Sequence, residues 1–204
     1  MANLTHRAKS WLATLGRETP MPTAEVERLI IDAGGTPHPA WLAFHDAYAG
    51  YYEEVAPEEL AIWGLARAAN AQPPSTWRDP NAVILVPPTE WFPEAIVCAD
   101  VHPVHDYHLY ADGSFTGIGG ILDSFAMKLE RHGLIREFYG RGKVDRTLLT
   151  RESGKPEHQA LLAAMQHGLV PEASNHERQF YLEPTRLLDA CPRLKQLALY
   201  EICP

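Results

Sequence analysis

The stretch of residues 107–134, YHLYADGSFTGIGGILDSFAMKLERHGL, constrains the fold most, because a turn signal is followed closely by a helix signal. Strand-forming residues stand on both sides of Asp112 and Gly113. Aspartate can hydrogen-bond to its local backbone, and glycine takes a positive φ without steric cost. This combination predicts a β-hairpin that reverses at Asp112-Gly113.

The second half of the same stretch predicts an amphipathic helix. Asp123 or Ser124 can cap it, and Gly133 is placed to end it. Its inward side chains recur at helical spacing: Phe125, Leu129 and His132. A hairpin that leads into such a helix favours a mixed α+β fold.

Periodicity predicts further helices near residues 8–15, 23–33, 39–49 and 158–167. A final helix is predicted from about Pro184, with Leu187, Leu188, Cys191, Leu194 and Leu197 buried. Short strands are predicted at residues 82–86 and 95–98, and residues 57–69 fit either a helix or a strand over 60–64. Residues 51–54 are predicted to form an exposed aromatic and acidic loop.

These elements predict an α+β fold with a central antiparallel sheet flanked by helices and with additional C-terminal helices. We expect an α+β domain over residues 1–140 and a helical C-terminal extension over 141–204, packed on the same core. The stretch 140–156 is the candidate boundary, and its basic part, residues 141–146, is expected to be mobile.

Composition places the chain among globular proteins, with 204 residues, 46% hydrophobic and 22% charged. The sequence contains no run of about 18 apolar residues, so it does not predict a membrane-spanning helix. The first residues lack the apolar core of a signal peptide. Three widely spaced cysteines, Cys98, Cys191 and Cys203, predict reduced thiols and no disulfide framework. We therefore expect a cytoplasmic protein.

Charge is distributed unevenly along the chain, whose formal net charge is -8. Residues 29–127 carry 13 acidic and 2 basic side chains, whereas the two ends together carry 13 acidic and 16 basic ones. A negative field repels phosphate backbones and attracts cationic surfaces. Direct nucleic-acid binding is therefore disfavoured, and a basic protein partner is favoured.

One histidine-rich segment, DVHPVHDYH, contains the residue types of a metal site: His102, His105, His108 and Asp106. On a single strand, His102 and His108 would share a face and His105 would take the other, so convergence needs an irregular backbone. The spacing matches neither HExxH nor the HxHxDH of metallo-hydrolases. A metal-dependent hydrolase is therefore an alternative hypothesis, beside that of a polar loop ahead of a hairpin.

Large aromatic side chains lie near several of the carboxylates. Aromatic residues beside carboxylates can anchor a basic partner through apolar burial and contact with Arg or Lys. The residues predicted to bind such a partner are Tyr51, Tyr52, Glu53, Glu54, Trp91, Asp100 and Asp106.

Three segments resemble the SUKH superfamily. PHPAWLAFHDAYAG at 37–50 resembles its entry segment, YHLYADGSFT at 107–116 its strand–turn–strand element, and DSFAMKL at 123–129 its closing helix. The similarity covers about residues 23–134. The chain has Ala49-Gly50 where the family usually has Asn-Gly, and the portion beyond residue 140 has no counterpart.

The resemblance implies an α+β fold and, for most members, an immunity protein that neutralises a cognate toxin, often a nuclease. Our first hypothesis is therefore a non-enzymatic immunity protein without a cofactor, which binds a basic toxin through its acidic middle. A regulatory protein-interaction domain with an endogenous partner is a further alternative.

Overall fold

The computed structural model describes residues 4–56, 59–67, 82–100, 107–117, 120–150, 156–191 and 196–203. The helices are α1 (His6–Leu12), α2 (Thr23–Asp32), α3 (Pro39–Tyr48), α4 (Phe125–Tyr139) and α5 (Pro156–Met165). The strands are β1 (Tyr52–Ala56), β2 (Glu59–Trp63), β3 (Leu85–Val86), β4 (Ala95–Val97), β5 (Ala99–Asp100), β6 (His108–Tyr110), β7 (Phe115–Gly117), β8 (Gly120–Leu122), β9 (Val144–Thr150), β10 (Gln179–Leu182), β11 (Arg186–Cys191) and β12 (Gln196–Ile202).

The protein has the predicted α+β fold, and its described strands pair antiparallel in three sheets rather than one. The chain divides into two compact units. The first unit contains Met1–Ala2 and Ala13–Phe125, and the second contains Asn3–Leu12 and Ala126–Pro204. The strand orders are β1-β2-β5 and β3-β4-β6-β7-β8 in the first unit, and β10-β11-β12-β9 in the second.

The hairpin predicted at Asp112-Gly113 is confirmed. Strands β6 and β7 pair antiparallel, and Gly113 has a φ of 89°. The Asp112 carboxylate accepts hydrogen bonds from the Ser114 backbone N–H at 2.9 Å and from the Ser114 hydroxyl at 2.7 Å. The turn is therefore encoded locally, as the sequence indicated.

The core of the first unit is built around aromatic rings. Phe125 packs against four of them, with ring centroids 4.8–5.3 Å apart: Phe44, Tyr48, Trp63 and Phe115. Helix α3 supplies Phe44 and Tyr48, which are both buried, and it begins with Pro39. The segment that could be either helix or strand is the strand β2, which brings Trp63 into this cluster.

The sheet of the second unit is covered by one helix on each face. On one face, α4 contributes Leu134 and Phe138 to a cluster that includes Leu187 of β11. On the other face, α5 contributes Met165 to a cluster that includes Leu188. Adjacent residues of β11 therefore point to opposite sides, as expected of a strand buried on both faces.

The prediction of a final helix from Pro184 was wrong, because that segment forms strands β11 and β12. The extension over 141–204 consequently contains a four-stranded sheet as well as α5. Residues 144–150, expected to form part of a boundary, are strand β9 of this sheet. Gly133 lies inside α4 and does not end it. A Cβ atom there would come within 3.0 Å of the Ala8 backbone in α1, so glycine permits close helix packing.

Cys98, Cys191 and Cys203 all belong to the described residues, and none of them forms a disulfide. Among the described residues, no helix combines the length and the apolar character that a membrane crossing requires.

Candidate protein-interaction surface

The division into two units separates the charges of the chain. The first unit contains 16 acidic and 4 basic side chains, a net charge of −12. The second unit contains 10 acidic and 14 basic side chains, a net charge of +4. The negative charge seen in the middle of the sequence therefore belongs to one folded body.

Arg67, one of the four basic side chains of the first unit, is buried in an ion pair. Its guanidinium is 1% exposed and donates to both carboxylate oxygens of Glu18, at 2.8 Å and 2.9 Å. The Tyr52 hydroxyl donates to the same carboxylate at 3.2 Å. Burial, followed by the charge of Glu18 and this hydrogen bond, raises the pKa of Tyr52. The pair is a buried structural unit that supplies no positive surface.

The other two described basic side chains of this unit are engaged at the surface. Arg28 donates to Asp32 at 2.8 Å, one helical turn along α2. The guanidinium of Arg17 lies 4.6 Å from the centre of the Tyr51 ring, and its Nε donates to the Ala49 carbonyl at 2.9 Å. Several carboxylate side chains are exposed: Glu25, Glu27, Asp46, Glu54, Glu90, Asp112 and Asp123. The described surface of the first unit is therefore strongly acidic.

An exposed aromatic turn interrupts this acidic surface between β3 and β4. Trp91 is 79% exposed and Phe92 is 45% exposed. The Thr89 hydroxyl accepts from the Trp91 and Phe92 backbone N–H groups, at 3.3 Å and 3.1 Å. The Thr89 N–H donates to the Phe92 carbonyl at 2.8 Å. These bonds fix the backbone, so the indole of Trp91 is presented on a preorganised turn.

Neighbouring elements support the turn and add carboxylates to it. The ring of Phe92 stacks on Tyr110, with centroids 5.8 Å apart. The Glu94 carbonyl accepts from the Ala111 N–H at 3.0 Å, which places the Asp112 turn beside it. The Glu94 carboxylate lies 3.2 Å from His38 Nε2. We name the set Glu90, Trp91, Phe92, Glu94 and Asp112 the Trp91 surface.

The structure separates the residues predicted to bind a partner. Tyr51 and Tyr52 are half-buried, and Glu53 is only 3% exposed. The Glu53 carboxylate accepts from the Trp63 indole at 2.9 Å, so its prediction as part of an exposed loop was wrong. Residues 52–56 form the strand β1, whose pairing with β2 turns Glu53 inward. Glu54 remains exposed.

Trp91 is exposed as the interaction hypothesis requires, but it lies in a connection of the five-stranded sheet and not beside β1 in sequence or in sheet order. The backbone of Asp100 pairs with Ile62. The side chain of Asp100 and the whole of Asp106 lie outside what the structure describes.

Four residues of the Trp91 surface were missed by sequence reasoning as partner-binding candidates: Asp112 of the turn after β6, and Glu90, Phe92 and Glu94. The signal for the last three was present in PPTEWFPE, an aromatic pair between acidic residues and enclosed by prolines. Prolines restrict the backbone, so a proline-bounded aromatic pair cannot easily withdraw into the core.

The proposed metal ligands His102, His105 and Asp106 lie outside the described residues, so the hydrolase hypothesis stays a prediction. His108 is half-buried in β6. Within the described part of the chain, no three side chains of His, Cys, Asp or Glu are grouped so that they could hold a metal ion.

Comparison of the chain with protein-family models, curated proteins and solved structures finds no match.

Proposed function

We propose that this protein is a non-enzymatic, cytoplasmic immunity-type protein that neutralises a basic toxin through the acidic surface of its first unit. The observation that carries the proposal is the charge of −12 on that unit, together with the engagement of each of its described basic side chains. The resemblance to the SUKH superfamily supplies toxin neutralisation as the purpose of such binding.

Electrostatics and the exposed aromatic turn have different parts in this proposal. A surface of one sign attracts an oppositely charged protein over about 8 Å at physiological salt and raises its association rate. Aromatic side chains at the centre of an interface contribute most to the lifetime of a complex. The exposed carboxylates would therefore steer the toxin, and the indole of Trp91 would anchor it.

The proposal is tested by capturing the partner on the immobilised 204-residue chain from a lysate of the native host, at about 0.05 M and about 0.5 M salt. We expect a basic protein that is retained only at the lower salt. When expressed alone, it should arrest growth, and co-expression of this chain should restore growth.

The same experiment distinguishes an immunity-type protein from the alternative, a regulatory protein-interaction domain. A retained partner that is harmless when expressed alone would favour that hypothesis. A partner without net positive charge, or one retained equally at both salt concentrations, would contradict the proposed acidic surface.

A further inference from the structure

We infer that strand β9 is a dimerisation edge, at which a second copy of this chain adds its own β9 in antiparallel pairing. This inference concerns the second unit alone and does not depend on the proposed toxin.

The first observation is the regularity of β9 and its position in the sheet. All seven residues of β9 pair with β12 without a bulge, from Val144↔Ile202 to Thr150↔Gln196. Strand β9 stands at the end of the order β10-β11-β12-β9, and among the described residues no strand pairs with its outer edge. An edge strand of this length without proline or glycine offers a row of backbone donors and acceptors to another strand.

The opposite edge of the same sheet is covered by the chain itself. The Val170 N–H donates to the Phe180 carbonyl at 2.8 Å, and Leu169 bridges to Tyr181. The Phe180 N–H donates to the Ser174 hydroxyl at 2.9 Å. Strand addition at β9 would therefore stop at two copies, because the resulting double sheet ends in covered β10 edges. A closed pair is the expected product of a self-complementary interface.

The side chains at β9 also suit a covered position. Residues 145–148 are exposed, and Leu148 is exposed by 49%. Tyr139, exposed by 45%, lies with its ring centroid 6.1 Å from that of Tyr200. Arg146 lies 5.7 Å from the same Tyr200 ring, on the sheet face that it shares with Leu148. This face of the edge thus exposes two large apolar side chains beside one cation.

The charges of β9 select a second copy and its register. Asp145 and Arg146 cancel, so the strand offers no net charge to an acidic or a basic peptide. A two-fold axis at Thr147, the middle residue, pairs all seven residues and keeps each sheet face continuous. It sets Arg146 opposite Leu148 of the second copy and Asp145 opposite Leu149. Axes at Asp145 or Arg146 would oppose like charges, which is unfavourable.

The register makes a sharp prediction for disulfide cross-linking. Residues directly opposite in antiparallel strands have Cα atoms about 4.5–5.5 Å apart, within the range of a disulfide. Thr147→Cys should therefore form a covalent dimer on mild oxidation. Asp145→Cys should not, because the two copies of position 145 would lie about 14 Å apart along the strands. Both variants carry Cys203→Ser, since Cys203 lies beside the start of β9, where its backbone N–H donates to the Lys143 carbonyl at 2.8 Å.

Light scattering of the unsubstituted 204-residue chain over a range of concentrations supplies the second readout. We expect the mass of two chains at high concentration, and at least a tenfold weaker association for Leu148→Lys. Gln159→Lys, an exposed change on α5, should leave association unchanged. A chain that stays monomeric at every concentration, or equal cross-linking at positions 147 and 145, would overturn the inference.

Discussion

Each unit contains a two-point pair between an arginine and a buried carboxylate, but the two units carry net charges of opposite sign. In the first unit, Arg67 is paired with Glu18, and both side chains are less than 10% exposed. In the second unit, Arg178 forms a two-point pair with Asp189, whose side chain is 5% exposed. The net charges of the units are nevertheless −12 and +4.

The paired charges inside each unit support the fold, whereas the excess of exposed carboxylates on the first unit does not. Each unit uses an arginine and a carboxylate inside its structure, where neither can be replaced alone without cost. Most of the other described carboxylates of the first unit are exposed, whereas Glu53 is buried, and like charges at the surface repel one another, which opposes folding. Because their mutual repulsion opposes folding, we attribute the excess of exposed carboxylates to the proposed recognition of a cationic partner.

The largest effect is expected from Arg67→Met, which leaves the Glu18 carboxylate buried without its cation. Loss of one partner from such a pair costs about 3–5 kcal/mol of unfolding free energy. Adding Glu18→Gln should restore most of this loss, because glutamine can still accept from Tyr52 without a charge. Denaturant unfolding of the single and double variants measures both values. A loss below about 1 kcal/mol for Arg67→Met would contradict the structural role of the pair.

A smaller effect is expected from Asp189→Asn in the second unit. The side chain of Arg178 is 34% exposed, so its guanidinium can reach water once the carboxylate is removed. The expected loss is about 1.5–3 kcal/mol, as for hydrogen bonds to charged groups. Denaturant unfolding checks this value against that of Arg67→Met. A larger loss of unfolding free energy for Asp189→Asn than for Arg67→Met would contradict this comparison of the two units.

Alkaline pH should weaken both units through their tyrosines. Burial, and then the charge of Glu18, raises the pKa of Tyr52, while burial, and then the charge of Asp189, raises the pKa of Tyr200. The folded state therefore holds these protons more tightly than the unfolded chain, whose tyrosines titrate near pH 10. The stability linked to them is present below about pH 10 and is lost as pH rises through the folded-state values.

The difference between the unfolding free energies at about pH 9 and about pH 11 measures this loss, because these pH values lie about one unit below and above the pKa of an unfolded tyrosine. Tyr52→Phe should reduce the dependence on pH, because it removes one of the two titrating hydroxyls. An identical slope for wild type and Tyr52→Phe would show that Tyr52 has no part in it.

The smallest effect is expected at the Asp112 turn. The Ser114 hydroxyl, and then the Ser114 backbone N–H, lowers the pKa of Asp112. The associated stability is present above about pH 4, the unfolded value, and is lost as pH falls through the lower folded pKa. Ser114→Ala should raise this pKa toward its ordinary value, with a stability change within about 0.5 kcal/mol. NMR titration of the Asp112 carboxyl measures the shift, and an unchanged pKa would exclude the hydroxyl as its cause.

Elements encoded by local signals could be predicted from the sequence. The Asp112-Gly113 turn and the start of α3 at Pro39 depend on backbone preferences of the residues themselves. Strand β11 could not be recognised, because Leu187 and Leu188 are buried on opposite faces by α4 and α5. A strand buried on both sides loses the alternating pattern and resembles a helix segment.

The candidate surface could likewise be predicted only where a local signal marks it. Trp91 was identified because a large aromatic residue near carboxylates is a local signal. The burial of Glu53 depends on the Trp63 indole across the β1–β2 pair, which no local pattern shows. The tight approach of Gly133 to Ala8 is likewise a contact between distant segments.

We propose that the acidic surface of the first unit, with Trp91 at an exposed turn, binds a positively charged protein. The most direct test is the rate at which the captured partner associates with Glu90→Lys, on the Trp91 surface, and with Glu27→Lys, on α2. We predict that the rate falls with salt, that Glu90→Lys lowers it several-fold more than Glu27→Lys, and that Trp91→Ala mainly speeds dissociation. An association rate that does not change with salt and is equal for both lysine variants would contradict this proposal.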